Sequence, residues 1–519
     1  MKKLRNSIGL ALLSVAATAL AGCGTKEEAG TVHFWSSFGA AYSGAVERIC
    51  AKASSATGVP IAHQSSGSYP QVRKDMILAI ADASYPELAI GYPDHFVSYL
   101  ENNTLLPLDE RLSAEEKADY FEDYLTENRF YDNGGANAKE RLYGIPFNKS
   151  TELLGYNGVF VDYCAQLEGY ESYHLEQVPA TWQEWAVKGP KYREIFDKLI
   201  TDKAQIRGVQ NNEGHVTSFG SGEILLDFKN VDKAQTQLMA WDATDNAFIT
   251  LIKQWGARYT ELPVSQAKNP VYDRVGKAYF ASSTDLPKVV QCLRFLNGLH
   301  KDKIFGVPKN LGAKYASDAF EQCRVMFMIC SSGGLSYNTT NWKHRFRVAP
   351  IPYYDDGEVA RKYVIAQGAN ICLTNKGETD NALKVMKALT TGDIQADFCL
   401  ETGYFPGSKS AYNSQKYQNF LKDTTNYSSG ATVAFREGAQ VNANIYHGEG
   451  STWNCFVDAA FIGSAILREK LEGVIASAID IDESKYGSET EIQNAYKKIF
   501  TDIKKVADIA ECGTLEFVS

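Results

Sequence analysis

Between residues 31 and 101, short β-rich runs alternate three times with longer amphipathic stretches, and this alternation limits the fold more than any other feature. Residues 31–35, 59–63 and 86–91 read as strands. Residues 40–55, 71–81 and 96–101 read as helices, with Val72, Met76, Ile77 and Ile80 at helical spacing in the second. Strand–helix repetition of this kind predicts an α/β architecture, a mostly parallel sheet with helices on both faces. Ligands of open parallel sheets sit at the loops that leave the strand C-terminal ends. Here those loops hold Ser36 and Ser37, then 65–69, then Tyr92, Pro93 and Asp94.

A chain of 519 residues exceeds the roughly 250–300 that one core organises, so two lobes are expected. The 53 basic and 62 acidic residues leave a net charge of −9, with no basic tract, which argues against nucleic-acid binding. The polar, Lys/Asp-rich stretch from about 190 to 230 interrupts the alternation and reads as a surface extension of a second lobe.

The N-terminus gives a compartment. Lys2, Lys3 and Arg5 precede an apolar run from Ile8 to Leu20, and Leu20-Ala21-Gly22-Cys23 follows. This pattern resembles the lipobox of bacterial lipoproteins, which implies a signal peptide over 1–22, acylation (palmitate) of Cys23, and a tether over 23–30. The expected product is exported and held by lipid at the membrane. The other nine cysteines are dispersed without a C-x-x-C pair, so neither a zinc ribbon nor a disulfide scaffold is indicated, and they are expected as buried small hydrophobes.

Enzyme motifs are missing: H-E-x-x-H, the Walker loop, G-x-G-x-x-G and G-x-S-x-G do not occur, and the eight histidines are scattered. Gly334-Leu-Ser336-Tyr-Asn338 approaches a nucleophile elbow but ends in the wrong residue. His447, between Tyr446 and Gly448, is notable for its turn-like setting. No catalytic residues, metal ligands or cofactors are expected; an exported glycosidase using two of the many carboxylates is the alternative of another class.

Four blocks carry a family resemblance: LYGIPFNKSTELLGYN at 142–157, PATWQEW at 179–185, RVMFMICSSG at 324–333 and ETGYFPGSKSAY at 401–412. In this order they resemble the extracellular solute-binding proteins of sugar-type ABC importers, nearest the glycerol-3-phosphate-binding branch. The resemblance implies a two-lobed periplasmic-binding-protein fold (type II), interwoven by strands that cross a hinge. Crossings are placed near 147–151, 365–369 and 389–392. The first lobe is then 31–147 plus 368–390, and the second 148–367 plus 391–519. The implied protein is a monomer that captures a small carbohydrate (sugar, oligosaccharide or polyol) and passes it to the membrane subunits of an ABC permease.

Residue by residue, the resemblance implies ligand contacts from Tyr69, Asp94 (allowing a one-residue insertion), Ser150, Ser331, Gly368 and Tyr404. Gly368 suits either a hinge strand close to ligand or a plain bulge. The branch's phosphate-reading arginine, counted back from EKLEGV at 469–474, falls on Ser464. The loss of that cation predicts a carbohydrate or polyol instead of glycerol-3-phosphate or a glycerophosphodiester, although Arg436 could substitute. Sugars also need hydroxyl partners, offered by Ser37, Asp94 and Asn148, and flat apolar faces, offered by Trp35, Trp241, Tyr404 and Trp453.

Overall fold

The computed structural model describes residues 28–132, 139–211, 215–262, 275–339, 346–423, 430–508 and 515–519. The leader, Cys23 and most of the tether lie outside the described residues. Among the described residues, no helix is long and apolar enough to cross a membrane.

The opening alternation folds as expected: β1 (Val32–Ser36), α1 (Ala40–Thr57), β2 (Ile61–Ser65), α2 (Tyr69–Asp82), β3 (Leu88–Gly91) and α3 (Pro93–Leu100). β1 pairs in parallel with both β2 and β3. Its side chains alternate between faces: Val32 and Phe34 enter one core cluster, whereas Trp35 packs on a second across the sheet. Two helix starts lie closer to the strands than the periodicity suggested. Ser68 accepts a hydrogen bond from the Gln71 amide and caps α2, so Tyr69 is its first residue. Pro93 opens α3, which places Asp94 in a helical first turn and not in a loop.

One ten-stranded sheet runs through the whole molecule. The remaining strands are β4 (Gly144–Asn157), β5 (Met239–Trp241), β6 (Phe305–Gly306), β7 (Phe327–Ser331), β8 (Phe346–Ala349), β9 (Tyr363–Leu373) and β10 (Asn454–Phe456). The order is β6-β5-β7-β4-β9-β3-β1-β2, with β8 also on β4 and β10 on β9. β4, 14 residues long, is shared: its first half pairs with β9, and Glu152–Tyr156 pair with β7. β9 continues the exchange, its start against β10 and its end against β3.

The second lobe carries the largest core, around Trp182, Trp185 and Trp241, with α4 (Trp182–Thr201) and α5 (Thr244–Gln254) on the sheet. The polar stretch after α4 forms a small antiparallel sheet of Gln205–Gln210, Val216–Phe219 and Glu223–Asp227. Seven of the eight described cysteines are buried.

The expected boundary at 390/391 does not match the packing. After α6 (Thr379–Thr390), α7 (Gly392–Thr402) lies on α1, and its Phe398 joins the first-lobe core beside Phe38 and Phe147. The other face of α7, through Ala396 and Cys399, meets the second cluster. An apolar residue on each face makes α7 a bridge between the two cores.

Candidate functional site

A cavity of about 180 Å³ opens where the two lobes face each other across the crossing strands. The first lobe supplies Tyr92, Asp94 and His95 from the start of α3; the crossing supplies Gln367 and Gly368 from β9. The second lobe supplies Asp245 and Asn246 from the start of α5, Tyr259, Asp458, and Arg468 from α8 (Ser464–Leu471). Asp94 and Asp245 both occupy first turns of helices that follow sheet strands. Positive helix N-termini favour carboxylates there, so each lobe presents one acid at its strand ends.

Gly368 is required by the backbone. Its φ is +92°, and a Cβ would lie 2.0 Å from the Asn148 carbonyl oxygen of the neighbouring crossing strand. The ladder shifts register just after it, between Ala369 and Asn370. It is therefore a bulge glycine and a cavity-wall residue at once.

Beneath the same wall, Lys149 is fully buried. Its Nζ donates to Glu127 Oε1 at 2.5 Å and to the Gly368 carbonyl at 3.1 Å, and it lies 5.1 Å from the Tyr124 ring centre. Asn370 Nδ2 donates to the same Glu127 oxygen at 2.7 Å. Burial raises the Glu127 carboxyl, and Lys149 opposes that rise. This ion pair pins the two crossing strands to the short helix Glu122–Thr126 that precedes Glu127.

Beside the cavity, Ser37, Tyr69, Asn148 and Tyr404 form one hydrogen-bonded group around the Tyr69 hydroxyl. Asn148 Nδ2 donates to Tyr69 Oη at 2.7 Å, and the Tyr69 ring rests 4.7 Å from that of Tyr92 on the cavity wall. Burial raises the Tyr69 and Tyr404 phenols, so both remain neutral donors. Tyr404 lies against Gly333, where a Cβ would come within 2.6 Å of its ring. The lobes touch here: Tyr42 Oη on α1 donates to the Gly333 carbonyl at 2.5 Å and lies 2.8 Å from Ser336 Oγ. The conformation is thus closed at this edge, and Ser336, the near-elbow serine, serves the contact.

Arg468 governs the electrostatics. Its Nε donates to Asp245 Oδ2 at 2.8 Å, its Nη2 bonds Asn246 Oδ1, and its Nη1 stands 3.9 Å from Asp458 Oδ2. Burial disfavours its charge, but Asp245, Asp458 and Asp94 outweigh that and raise its pKa. Burial lowers His95 to about 4 and so keeps it neutral. Three buried oxygens of lining residues have no hydrogen-bond partner, Asp94 Oδ1 and both oxygens of Asp458, and beside the cavity Asn148 Oδ1 has none either. Native interiors seldom leave such acceptors unmatched. Among the described residues, no group of three or more His, Cys, Asp and Glu could hold a metal ion.

The sequence expectations divide in three. Asp94 and Gly368 line the cavity, and Ser37, Tyr69, Asn148 and Tyr404 adjoin it as one group. Ser150 is buried in β4 opposite Gln367, and Ser331 ends β7 and accepts from the Gly333 amide at 3.2 Å. The tryptophans are elsewhere. Trp241 is wholly buried, 6.2 Å from Trp182 in a stacked pair, with Nε1 donating to Glu152 Oε2 at 3.0 Å; it has no free face. Trp35 leans on the core between the sheet and α2. Trp453 lines a different hollow of about 820 Å³, with Phe121, Tyr124, Tyr446 and His447. There His447 Nε2 stands 3.4 Å from Tyr124 Oη.

The inferred absence of a cation is also corrected. Ser464 does line the cavity, with Oγ spent on the Phe461 carbonyl at 2.6 Å. Arg468, four residues on and hence on the same helical face, brings the guanidinium to the same wall. Arg436 is buried and donates to the Asp423 carbonyl, away from the cavity. Arg468 and Asp458 escaped the sequence reading because isolated charges in an acidic chain look like surface; the i, i+4 step from Ser464 was the usable signal.

Comparison with known proteins places this geometry. Residues 48–424 match the family model for bacterial extracellular solute-binding proteins. The sn-glycerol-3-phosphate-binding periplasmic protein UgpB of Yersinia pestis is 23% identical over 302 residues, 57% of this chain and 55% of that protein. The matched region thus spans about half the length of that relative. UgpB from Mycobacterium tuberculosis, solved with glycerophosphocholine, superposes with a TM-score of 0.62 at 16% identity, over 93% of this chain and 99% of that one. The GacH receptor of Streptomyces glaucescens, solved with acarbose, gives 0.59 at 13% identity, over 92% and 99%. These likenesses establish the two-lobed fold, and the family model covers most of the chain: it belongs to the bacterial extracellular solute-binding proteins.

Proposed function

We propose that this protein is the capture component of an ABC importer, taking a carbohydrate or polyol between its lobes and delivering it to a membrane permease. The observation that carries the reading is a cavity built by both lobes and the crossing strands, rich in unmatched acceptors facing where a ligand would lie. Hydroxyl groups are the donors such acceptors need. Contacts are assigned to Asp94, Gly368 and Asn148, with Ser37, Tyr69, Ser150, Ser331 and Tyr404 around them; Tyr92 and Tyr259 replace the tryptophans as the flat surfaces. Ligand that touches both lobes stabilises the closed state over the open one.

Arg468 supports a second reading, a phosphate ester such as glycerol-3-phosphate or a glycerophosphodiester. Against it, the lining holds six carboxylates to one arginine, and that arginine is already bonded to Asp245. A dianion would enter a field of its own sign. Thermal-shift measurements over sugars, polyols, glycerol-3-phosphate and glycerophosphodiesters separate the two. Sugars or polyols should raise the melting temperature; a rise with phosphate compounds alone overturns the carbohydrate reading.

The lipobox-like N-terminus supports an exported protein held at the membrane by acyl chains on Cys23. Cys23→Ser should move the protein from the membrane fraction to the soluble exported fraction; unchanged fractionation would refute the anchor.

A further inference from the structure

The cavity is more acidic than a hydroxyl-binding site requires. Asp94, Glu127, Asp245, Asp458, Glu469 and Glu472 line it, with Arg468 as the one arginine or lysine of the lining. Lys149 answers Glu127, and Asp245 takes the Arg468 Nε. Glu469 and Glu472 are exposed, and of the four acids away from solvent Asp458 keeps the least. Its side chain is only 10% exposed, neither oxygen accepts a hydrogen bond, and the nearest guanidinium nitrogen stands 3.9 Å away. Burial raises its carboxyl, and Arg468 and Lys253, whose Nζ lies over the Phe456 ring, oppose that rise. Across the cavity Asp94 Oδ1 is equally without a donor, its side chain 13% exposed. Near Asp94, His95 is neutral, and Arg73 acts on His95 from α2.

Burying carboxylates without donors is costly, and the cost is recovered when a donor that also carries positive charge arrives. An ordinary hydroxyl supplies the donor alone. A quaternary ammonium supplies the charge alone. A protonated amine supplies both, and its three N–H bonds can reach acceptors on both lobes. Charge–charge attraction in a site shielded from water exceeds that at an exposed surface.

We propose that the preferred ligand is an amine-bearing sugar or polyol, whose ammonium group sits between Asp458 of the second lobe and Asp94 of the first. This rests on the carbohydrate reading above and narrows it to a cationic subclass. The ammonium then acts as the bridge that closes the lobes, while Arg468 holds Asp245 and Asn246 in place.

The test uses the full exported chain and matched ligand pairs in isothermal titration at pH 7: glucosamine with glucose, galactosamine with galactose, and serinol with glycerol. N-acetylglucosamine and choline serve as the uncharged amide and the donor-free cation. The amine of at least one pair should bind tenfold or more tighter than its hydroxyl partner, with N-acetylglucosamine and choline both weak. Asp458→Asn, of the same shape, should reduce that amine-to-hydroxyl ratio at least tenfold. The wild-type ratio decides the matter even if the variant does not fold. Hydroxyl members binding as tightly as their amines would overturn this inference and leave the carbohydrate reading standing. Choline matching the amines would overturn the hydrogen-bonding role of the ammonium. Phosphate esters alone binding would overturn both readings.

Discussion

At the scale of single residues, the site is made of groups whose chemistry is set by burial. Glu152, where β4 enters the second lobe, is fully buried, and burial raises its carboxyl to about 8 although Trp241 Nε1 donates to it. Its usual value is near 4.5, so the folded state holds a proton that the unfolded chain gives up earlier. The favourable contribution is complete below pH 4.5 and is lost as pH rises through 8. A shift of this size corresponds to a loss of about 5 kcal/mol by high pH. Glu152→Gln keeps an acceptor for Trp241 without the titration. Its stability relative to wild type should therefore rise by several kcal/mol, on the order of 3–5, between pH 5 and pH 9. Urea denaturation at the two pH values reads this; equal differences at both would mean that Glu152 titrates normally in the fold.

Elements were the most legible level. The first six, from β1 to α3, follow directly from period-2 and period-3.6 patterns bounded by turns. Capping shifted their starts: Ser68 and Pro93 drew α2 and α3 closer to the strands, which turned Tyr69 and Asp94 from loop residues into helix-start residues. β4 was legible as a motif but its full length was not. Twelve of its 14 residues are buried in a row from Gly144 to Gly155, polar ones included, because both faces and both edges are covered. Patterning cannot separate Lys149 and Glu152, which are buried, from surface charges, since what permits their burial comes from Glu127, Asn370 and Trp241, distant in the chain. The tryptophans fail for the converse reason. A ring suited to a sugar is equally suited to a core, and Trp241 stacks on Trp182 from a helix start about 60 residues earlier.

For the whole molecule, the decisive feature is the contact that closes the lobes. Tyr42, on a first-lobe helix, reaches the Gly333 carbonyl and Ser336 of the second lobe. Burial raises its phenol, which keeps it a donor. Tyr42→Phe removes this bond while leaving the ring against Tyr404 and Tyr337. The loss of about 1 kcal/mol from the closed state should shift the closed-to-open ratio about fivefold. Small-angle scattering of the ligand-free variant should show a larger radius of gyration, and ligand affinity should fall by a similar factor. An unchanged scattering profile together with unchanged affinity would show that Tyr42 does not hold the lobes.

Sequence alone determined the α/β layering, the exported-lipoprotein expectation and the four family blocks, with separate ligand contacts at Tyr69, Ser150 and Tyr404 implied by the resemblance, because periodicity and contiguous motifs are local properties. Only the tertiary structure decided which charges meet. Asp94, Asp245, Asp458 and Arg468 lie on separate segments spread over some 370 residues, and the cavity exists because β4 and β9 carry one sheet through both lobes. Electrostatic character depends on distance in space and on burial, and neither is written in the spacing of residues along a chain.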